Sequence, residues 1–282
     1  MEKKQPIIVP MIALRGLTVF PGMAISFPAG RQKSLDALQA AEENGKEIFL
    51  VTQKDPAVLD PSRNDMYDIG VLAELKQVLK LPGNLTHVIV EGKSRGRLEN
   101  IHVRNCEYAE ITTIPQDFDE EPSEHVQAIM KIGVEEYDNY LKLAPNTAAM
   151  DLMGNVVAAT KPGQLADVIA AGLELAYNRK QEFLDILNPF ERLQAVITLM
   201  QKERQVLDIK REIEEKTKQK IDQNQREYYL REELKVIQEE LGDKDGVGAD
   251  AAVDVDVQVK LPQHLLRLLR HQMAIEIGRA HV

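Results

Sequence analysis

The sequence has one cysteine, no tryptophan and only 5% aromatic residues in 282. A lone thiol, Cys106, excludes a disulfide within the chain, and no Cys/His spacing offers the four ligands of a structural zinc. No HExxH pair or histidine cluster points to another metal. No stretch approaches the roughly twenty apolar residues of a membrane-crossing helix, so no membrane partner is expected. The start, MEKKQPIIVPMIAL, carries two lysines and a short apolar run, but Pro6, Pro10 and Arg15 interrupt it before a secretory core could form. Together these absences predict a cytoplasmic protein. Positive charge is also short: 35 Lys and Arg against 45 Asp and Glu leave a net charge of -10 and a pI near 5.2. Clustered cations drive non-specific grip on phosphates, so nucleic acid is a poor fit as partner.

What is present is an ordinary globular mixture, 44% hydrophobic and 28% charged, in a chain long enough for one large or two modest cores. From Pro6 to Ile114, β-branched runs alternate with Gly and Pro: IIVPMI, EIFLVT, IGVLAELKQVL, THVIVEG and EYAEITTI. These predict a small, mostly antiparallel β-domain over 6–115. One helix interrupts it at Gln32 to Asn44, with Leu35, Leu38 and Ala41 on one face and Asn44-Gly45 as the stop.

The acidic, Pro-marked segment from Pro115 to Pro122 marks a domain boundary, and Ser123 is placed to cap the helix that follows it. Helices are predicted at His125 to Leu143, Ala148 to Ala158 and Gln164 to Leu175, making a helical subdomain over 120–187. Asn188 as N-cap and Pro189 at the first helical position then open an arm helix over 188–242. At 1.5 Å per residue about fifty residues reach roughly 75 Å, too long for the core of a compact domain. Its apolar positions, Leu193, Val196, Met200 and Leu207, resume at Leu230, Leu234, Ile237 and Leu241. Between them Lys210 to Glu227 is mostly charged, with Glu212 spaced to pair with Lys216 and Glu214 with Lys218. That middle is expected to be solvated.

Candidate chemistry is thin. Gly92-Lys93-Ser94 resembles the end of a phosphate loop, but His87 stands where GxxxxGK[ST] needs its first glycine, and VIVE before it predicts a strand. No GxSxG elbow surrounds a serine. Glu212, Glu214 and Glu215 suit a solvated face better than an acid/base pair. Cys106 follows Arg104, which would lower its pKa slightly, yet its strand-like setting suits a structural cysteine. Tyr228 is expected to pack against a partner of the helix and Tyr229 to face water. No catalytic, cofactor-binding or metal-binding residue is therefore assigned.

Several motifs occur in one order: MIALRGLTVFPGM, VIVEGKSRGRLENI from Val88, KPGQLADVIAAGL from Lys161, and ILNPFERLQAVITLMQKERQVLDIKREIEEKTKQKIDQNQREYYLREELKVIQEELGDKD from Ile186. From about residue 6 to 245 they resemble the amino-terminal region of the Lon family of ATP-dependent proteases (endopeptidase La). The resemblance implies an α+β architecture: a PUA-like β-domain, a helical bundle and a long coiled-coil-like helix leading toward an ATPase ring. It implies recognition of unfolded or degron-bearing proteins and help in assembling a hexamer. The ATP, Mg and Ser-Lys chemistry of that family belong to AAA+ and protease domains whose motifs are not found here, so the resemblance implies a fragment that is not itself an enzyme. A stand-alone binder of peptides or small ligands and a coiled-coil scaffold are the alternatives. After Asp245 the pattern departs: from Lys260 on, four basic residues and Glu276 give a net +3. Ile277 to Val282 reads like one frame of a sequencing-library adapter, so 246–282 is expected to be an atypical, non-native tail.

Overall fold

The computed structural model describes residues 6–81, 85–117, 121–144 and 147–240. The expected tail, 246–282, and the end of the arm at Leu241-Gly242 lie outside the described residues. A first compact unit comprises Met1–Thr217 and a second begins at Lys218.

Six strands form one sheet: β1 (Ile7–Leu14), β2 (Ala24–Ala29), β3 (Glu47–Thr52), β4 (Ile69–Leu81), β5 (Leu85–Val103) and β6 (Glu107–Ile114). The order is β2-β5-β4-β3-β1-β6, and a further pairing of β5 with β6 closes five strands into a barrel. Every pairing is antiparallel except β1 with β3. Closure depends on β5, which is longer than THVIVEG suggests. Residues 86–91 pair with β2, and residues 95–103, on the same strand, pair with β6. The strand β2 goes unmarked in the sequence because Pro28 interrupts its short apolar alternation, a residue tolerated where a strand has an edge.

Alternation explains two cores. Val9, Met11 and Ala13 of β1, Phe49 and Val51 of β3, Leu72, Leu98, Ala109 and Ile111 fill the inside of the barrel. The opposite faces of the same strands, Ile12, Leu14, Ile48 and Leu50, lie in a larger core with Ala37, Leu38 and Ala41 of α1 (Gln32–Glu43). Burial on both faces is why IIVPMIAL and EIFLVT read as continuous apolar runs. Phe49 needs room inside: Gly70 and Gly96 sit opposite one another in β4 and β5. A Cβ on Gly70 would lie 2.5 Å from Phe49 Cζ, and one on Gly96 3.0 Å from Phe49 Cε2. The helix α1 stops as expected, with Asn44 Nδ2 donating to Ala40 O at 2.7 Å and Gly45 at φ 83°.

The helical layer contains α2 (Glu124–Leu143), α3 (Thr147–Asp151), α4 (Met153–Ala158), α5 (Pro162–Gly172), α6 (Tyr177–Asp185) and the start of α7 (Pro189–Glu240). Ser123 caps α2 by accepting from Val126 N. The single helix expected over Ala148 to Ala158 is broken at Leu152, and the one expected at Gln164 begins earlier, at Pro162, and ends at Gly172. Proline at the first position and two amides capped by Asp117 start it there. The helix α6 was not expected; its sequence YNRKQEFLD carries little apolar periodicity. Gly133 of α2 faces Leu193 and Ile197 of α7, and a Cβ there would meet each at 3.4 Å, an ordinary van der Waals contact. Leu193, Val196 and Met200 are fully buried in the same core that covers the outer barrel face.

Beyond Leu207 the arm is exposed, as the charged middle predicted. Lys216 pairs with Glu212 at 3.6 Å, whereas Glu214 lies 3.9 Å from Lys210 rather than being held by Lys218.

Candidate functional site

The motifs that stand apart in sequence meet in space. Phe20 is buried, and the turn Phe20-Pro21-Gly22-Met23, with Gly22 at φ 76°, docks on β5: Gly22 N donates to Gly92 O at 2.8 Å and Gly92 N to Met23 O at 2.9 Å. A Cβ on Gly92 would lie 2.3 Å from Phe20 O, so only glycine admits the turn. Gly92-Lys93-Ser94 is thereby a strand whose Gly92 amide and carbonyl are both engaged. Lys93 points its charge at Glu74 and Glu91, 2.7 and 3.2 Å away. A nucleotide phosphate does not fit there, because the glycine amide that would cradle it is committed to Met23.

A second meeting point is a buried charge cluster. Arg95 of β5, Asp167 of α5 and Arg192 of α7 are all fully buried. Arg95 forks onto Asp167, Nη1 to Oδ2 at 2.7 Å and Nη2 to Oδ1 at 2.5 Å, while its Nε donates to Leu184 O at 3.1 Å. Arg192 Nε lies 3.0 Å from Asp167 Oδ1 but has no hydrogen-bond partner, so that contact is electrostatic. Its Nη1 donates to Ile186 O at 2.6 Å and its Nη2 to Gln116 O at 3.1 Å. Burial pulls Arg192 down to about 10 against the opposing pull of Asp167. Asp117 completes the surroundings by accepting from Gly163 N at 2.6 Å and Gln164 N at 2.9 Å, with burial raising its pKa. The segment expected to be a plain boundary, at Gln116 and Asp117, is thus bonded to α5 and α7. Fully buried and bonded to one another and to backbone carbonyls, the two guanidinium groups and the carboxylate form a structural brace.

Two of the open spaces on this unit bear on binding. One, of about 410 Å³, is walled by Leu17, Phe20, Met23, Ile25, Leu152 and Leu175, with Asp151, Tyr177 and Lys180 supplying polar groups. Thr18 Oγ1 donates to Tyr177 O at 2.8 Å, and Tyr177 OH to Lys54 O at 3.0 Å, which holds α6 on the barrel. Lys180 donates to Ala171 O at 2.7 Å, and burial lowers its pKa despite Glu174 nearby. The other, of about 470 Å³, is a groove whose floor and walls include Met130 and Val134 of α2, Val157 of α4, Ala159 and Leu165. Val157 is 64% exposed, so the groove presents apolar surface to solvent. Glu121, Lys131 and Glu135 stand at the groove as well. Both spaces suit non-covalent contact with apolar side chains; methionine adds a side chain that reshapes to different guests.

The remaining sequence candidates are placed apart from these spaces. Cys106 is buried in the turn before β6, and burial raises its thiol pKa, outweighing any effect of Arg104, whose guanidinium instead lies 5.4 Å above the Tyr108 ring. Tyr228 does not pack as expected: it is 62% exposed and sits edge-on to Tyr229, ring centroids 6.2 Å apart. Among the described residues no group of three or more His, Cys, Asp or Glu could hold a metal ion, and no helix is long and apolar enough to cross a membrane. Sequence reasoning missed Tyr177 and Lys180 because their helix lacks an apolar stripe. The groove residues were legible only as the apolar face of α2.

A Lon protease of Clostridium acetobutylicum is 40% identical over 242 residues, covering 84% of this chain and 30% of that protein. One of Bacillus thuringiensis is 36% identical over 244 residues, covering 86% of this chain and 30% of that protein. The chain therefore spans about a third of the length of these relatives. The solved N-terminal domain of a Mycobacterium avium complex Lon protease shares the fold, with a TM-score of 0.55 at 21% identity over 69% of this chain and 98% of that one. The sequence profile of the ATP-dependent protease La (LON) substrate-binding domain matches residues 8–202, a stretch that takes in the barrel, the brace and both open spaces. The chain belongs to the Lon protease family, through its substrate-binding domain.

Proposed function

We propose that this chain is the non-catalytic substrate-recognition and ring-assembly part of an ATP-dependent serine protease that degrades misfolded and short-lived regulatory proteins. It would work in the cytoplasm as a β-domain over 6–115, a helical subdomain over 120–187 and an arm over 188–242. ATP and Mg would be used by domains beyond the matched region, in a homohexamer. The observation that carries recognition is the apolar groove on the helical layer, a concave space of about 470 Å³ where exposed Val157 stands beside half-buried Met130 and Val134. A concave, exposed apolar surface favours partners that expose apolar segments, as unfolded chains do and folded ones do not.

The test is fluorescence anisotropy of a labelled, permanently unfolded polypeptide, and of its folded counterpart, titrated with the full chain. Saturable binding of the unfolded form alone is expected. Val157→Asp, at an exposed position, should weaken it about tenfold with the fold intact by circular dichroism. Equal binding of both forms, or of neither, overturns the proposal. A small-ligand module is the second reading, favoured by the cavity of about 410 Å³ beside Lys180. It requires saturable binding of a compact ligand and indifference to unfolded chains.

A further inference from the structure

Beside β2 lies an arrangement of charge that the fold itself does not require. A space of about 510 Å³ is lined by Ile12, Leu17 and Phe27, with Arg15, Arg31 and Ser34 among its polar groups. The two guanidinium groups converge on one neutral acceptor: Arg15 Nε donates to Gln53 Oε1 at 3.4 Å, and Arg31 Nη1 to the same oxygen at 3.2 Å. Their other bonds also go to uncharged groups, Arg15 Nη2 to Val58 O and Leu59 O at 3.0 Å each, and Arg31 Nη2 to Ala13 O. The nearby carboxylates of Asp60 and Glu107 are both held by Lys33, Glu107 at 2.8 Å. Among the described residues no carboxylate is paired with either arginine. Burial first, and then Arg15, lower the pKa of Arg31 against the opposing pull of Glu107 and Asp60. These five groups keep one positive charge in excess, in a chain whose net charge is -10.

The first turn of α1 contributes Arg31 and Ser34 to the same space. Arg31, at the N-cap, gives the helix no side-chain cap. Ser34 N and Leu35 N return to Arg31 O, while Gln32 N and Lys33 N meet no acceptor among the described residues. Ser34 is 6% exposed, and its hydroxyl has no hydrogen-bond partner among the described residues. An anion set there meets guanidinium groups, a hydroxyl and the positive end of a helix.

Along another side of the space runs a strand edge. The strand β2 pairs with β5 alone, and Ser26 to Ala29 line the space. Proline has no N–H to give a ladder, so the backbone of Pro28 faces away from β5. By the alternation of a strand, Ser26 presents its N–H and C=O on that same free side. An extended peptide can add there as a further strand.

We infer that this space receives the free carboxyl terminus of an extended, apolar peptide. The peptide pairs along the open edge of β2, its last side chain lies against Ile12, Leu17 and Phe27, and its carboxylate sits between Arg15 and Arg31 at the first turn of α1. The single excess positive charge matches the single charge of a carboxylate, and the open edge suits a peptide rather than a small free acid. The space is separate from the groove between α2, α4 and α5, so this inference goes beyond the recognition assigned there and fails independently of it.

Fluorescence anisotropy of the full chain with a short labelled peptide ending in Val-Thr-Val, as free acid and as carboxamide, tests it. The acid should bind about tenfold more tightly than the amide, and about 0.5 M salt should narrow that ratio. Arg15→Gln should bring acid and amide within about twofold of one another, and Arg15→Lys should restore part of the difference, with both folds checked by circular dichroism. Ser26→Pro removes an edge N–H but no charge, and should weaken both peptides alike. N-acetylvaline, a carboxylate without a strand, should compete only at about a hundredfold higher concentration than the peptide. Equal affinity of acid and amide, an acid preference that survives Arg15→Gln, or N-acetylvaline competing as well as the peptide overturns the inference.

Discussion

The first turns of α7 and its later turns carry apolar residues at the same spacing and meet opposite fates. Leu193, Val196 and Met200 are fully buried, while Val206, Ile209 and Ile213, spaced three and four apart in the same way, are half exposed. Spacing says which face of a helix is apolar; it does not say what covers that face. Cover near Leu193 comes from elements distant in sequence: α2 packs on it at Gly133, and Arg192 is anchored to Asp167 and to backbone carbonyls. Beyond Leu207 nothing in this chain performs that service among the described residues.

The largest effect should come from removing the anchor. Asp167→Asn leaves Arg95 buried without its carboxylate and Arg192 with only Asp117 nearby, and is expected to cost about 3–5 kcal/mol, read by urea denaturation. Replacing all three charged residues with apolar ones of similar volume should recover much of that loss. Next, Leu193→Ala should cost about 2–5 kcal/mol through a cavity, whereas Leu234→Ala should change unfolding of dilute protein by less than about 0.5 kcal/mol. Equal losses at the two positions would erase the contrast between them. Gly70→Ala, which forces a Cβ against Phe49 and Leu50 O, should cost about 1–3 kcal/mol without altering the arm.

The smallest effect concerns the exposed ladder of Glu74, Lys76, Glu91 and Lys93. Hydrogen bonds first from Lys93 and then from Lys76 hold the Glu74 carboxyl down to about 2 from 4.5. A depressed acid stabilises the fold above its unfolded value, so this contribution should fade as pH falls from about 4.5 toward 2. Melting curves of the wild type and Glu74→Gln should converge across that window, and salt should shrink the gap between them.

Much of the fold was legible. Where a strand is buried on both faces, as in β1 and β3, or a helix has a stop, as in α1, or a cap, as in α2, local sequence and tertiary environment favour the same state. The arm's start was legible because Asn188 and Pro189 mark it; Phe190 N and Glu191 N both donate to Asn188 Oδ1. The second half of β5 was hidden because GKSRGRLEN is charged and glycine-rich. Its glycines are there to admit Phe20 and Phe49, which only the folded barrel reveals. The helix α6 was hidden because its stability lies in long-range bonds, such as Gln181 Nε2 to Ile69 O at 2.8 Å, rather than in periodicity. Of the candidate site, the apolar residues were visible, but their concavity was not, because it arises where α2, α4 and α5 meet.

The brace also imposes an order in time. Arg95 lies 72 residues before Asp167 in the chain. At a synthesis rate of roughly 5–20 residues per second, its counter-charge is made roughly 4–14 s after it is. Until α5 and the first turn of α7 emerge, the finished strands of the barrel hold a guanidinium whose site is not yet built. The nascent β-domain must therefore keep that end wet, and the packing of that face waits on the helices made after it.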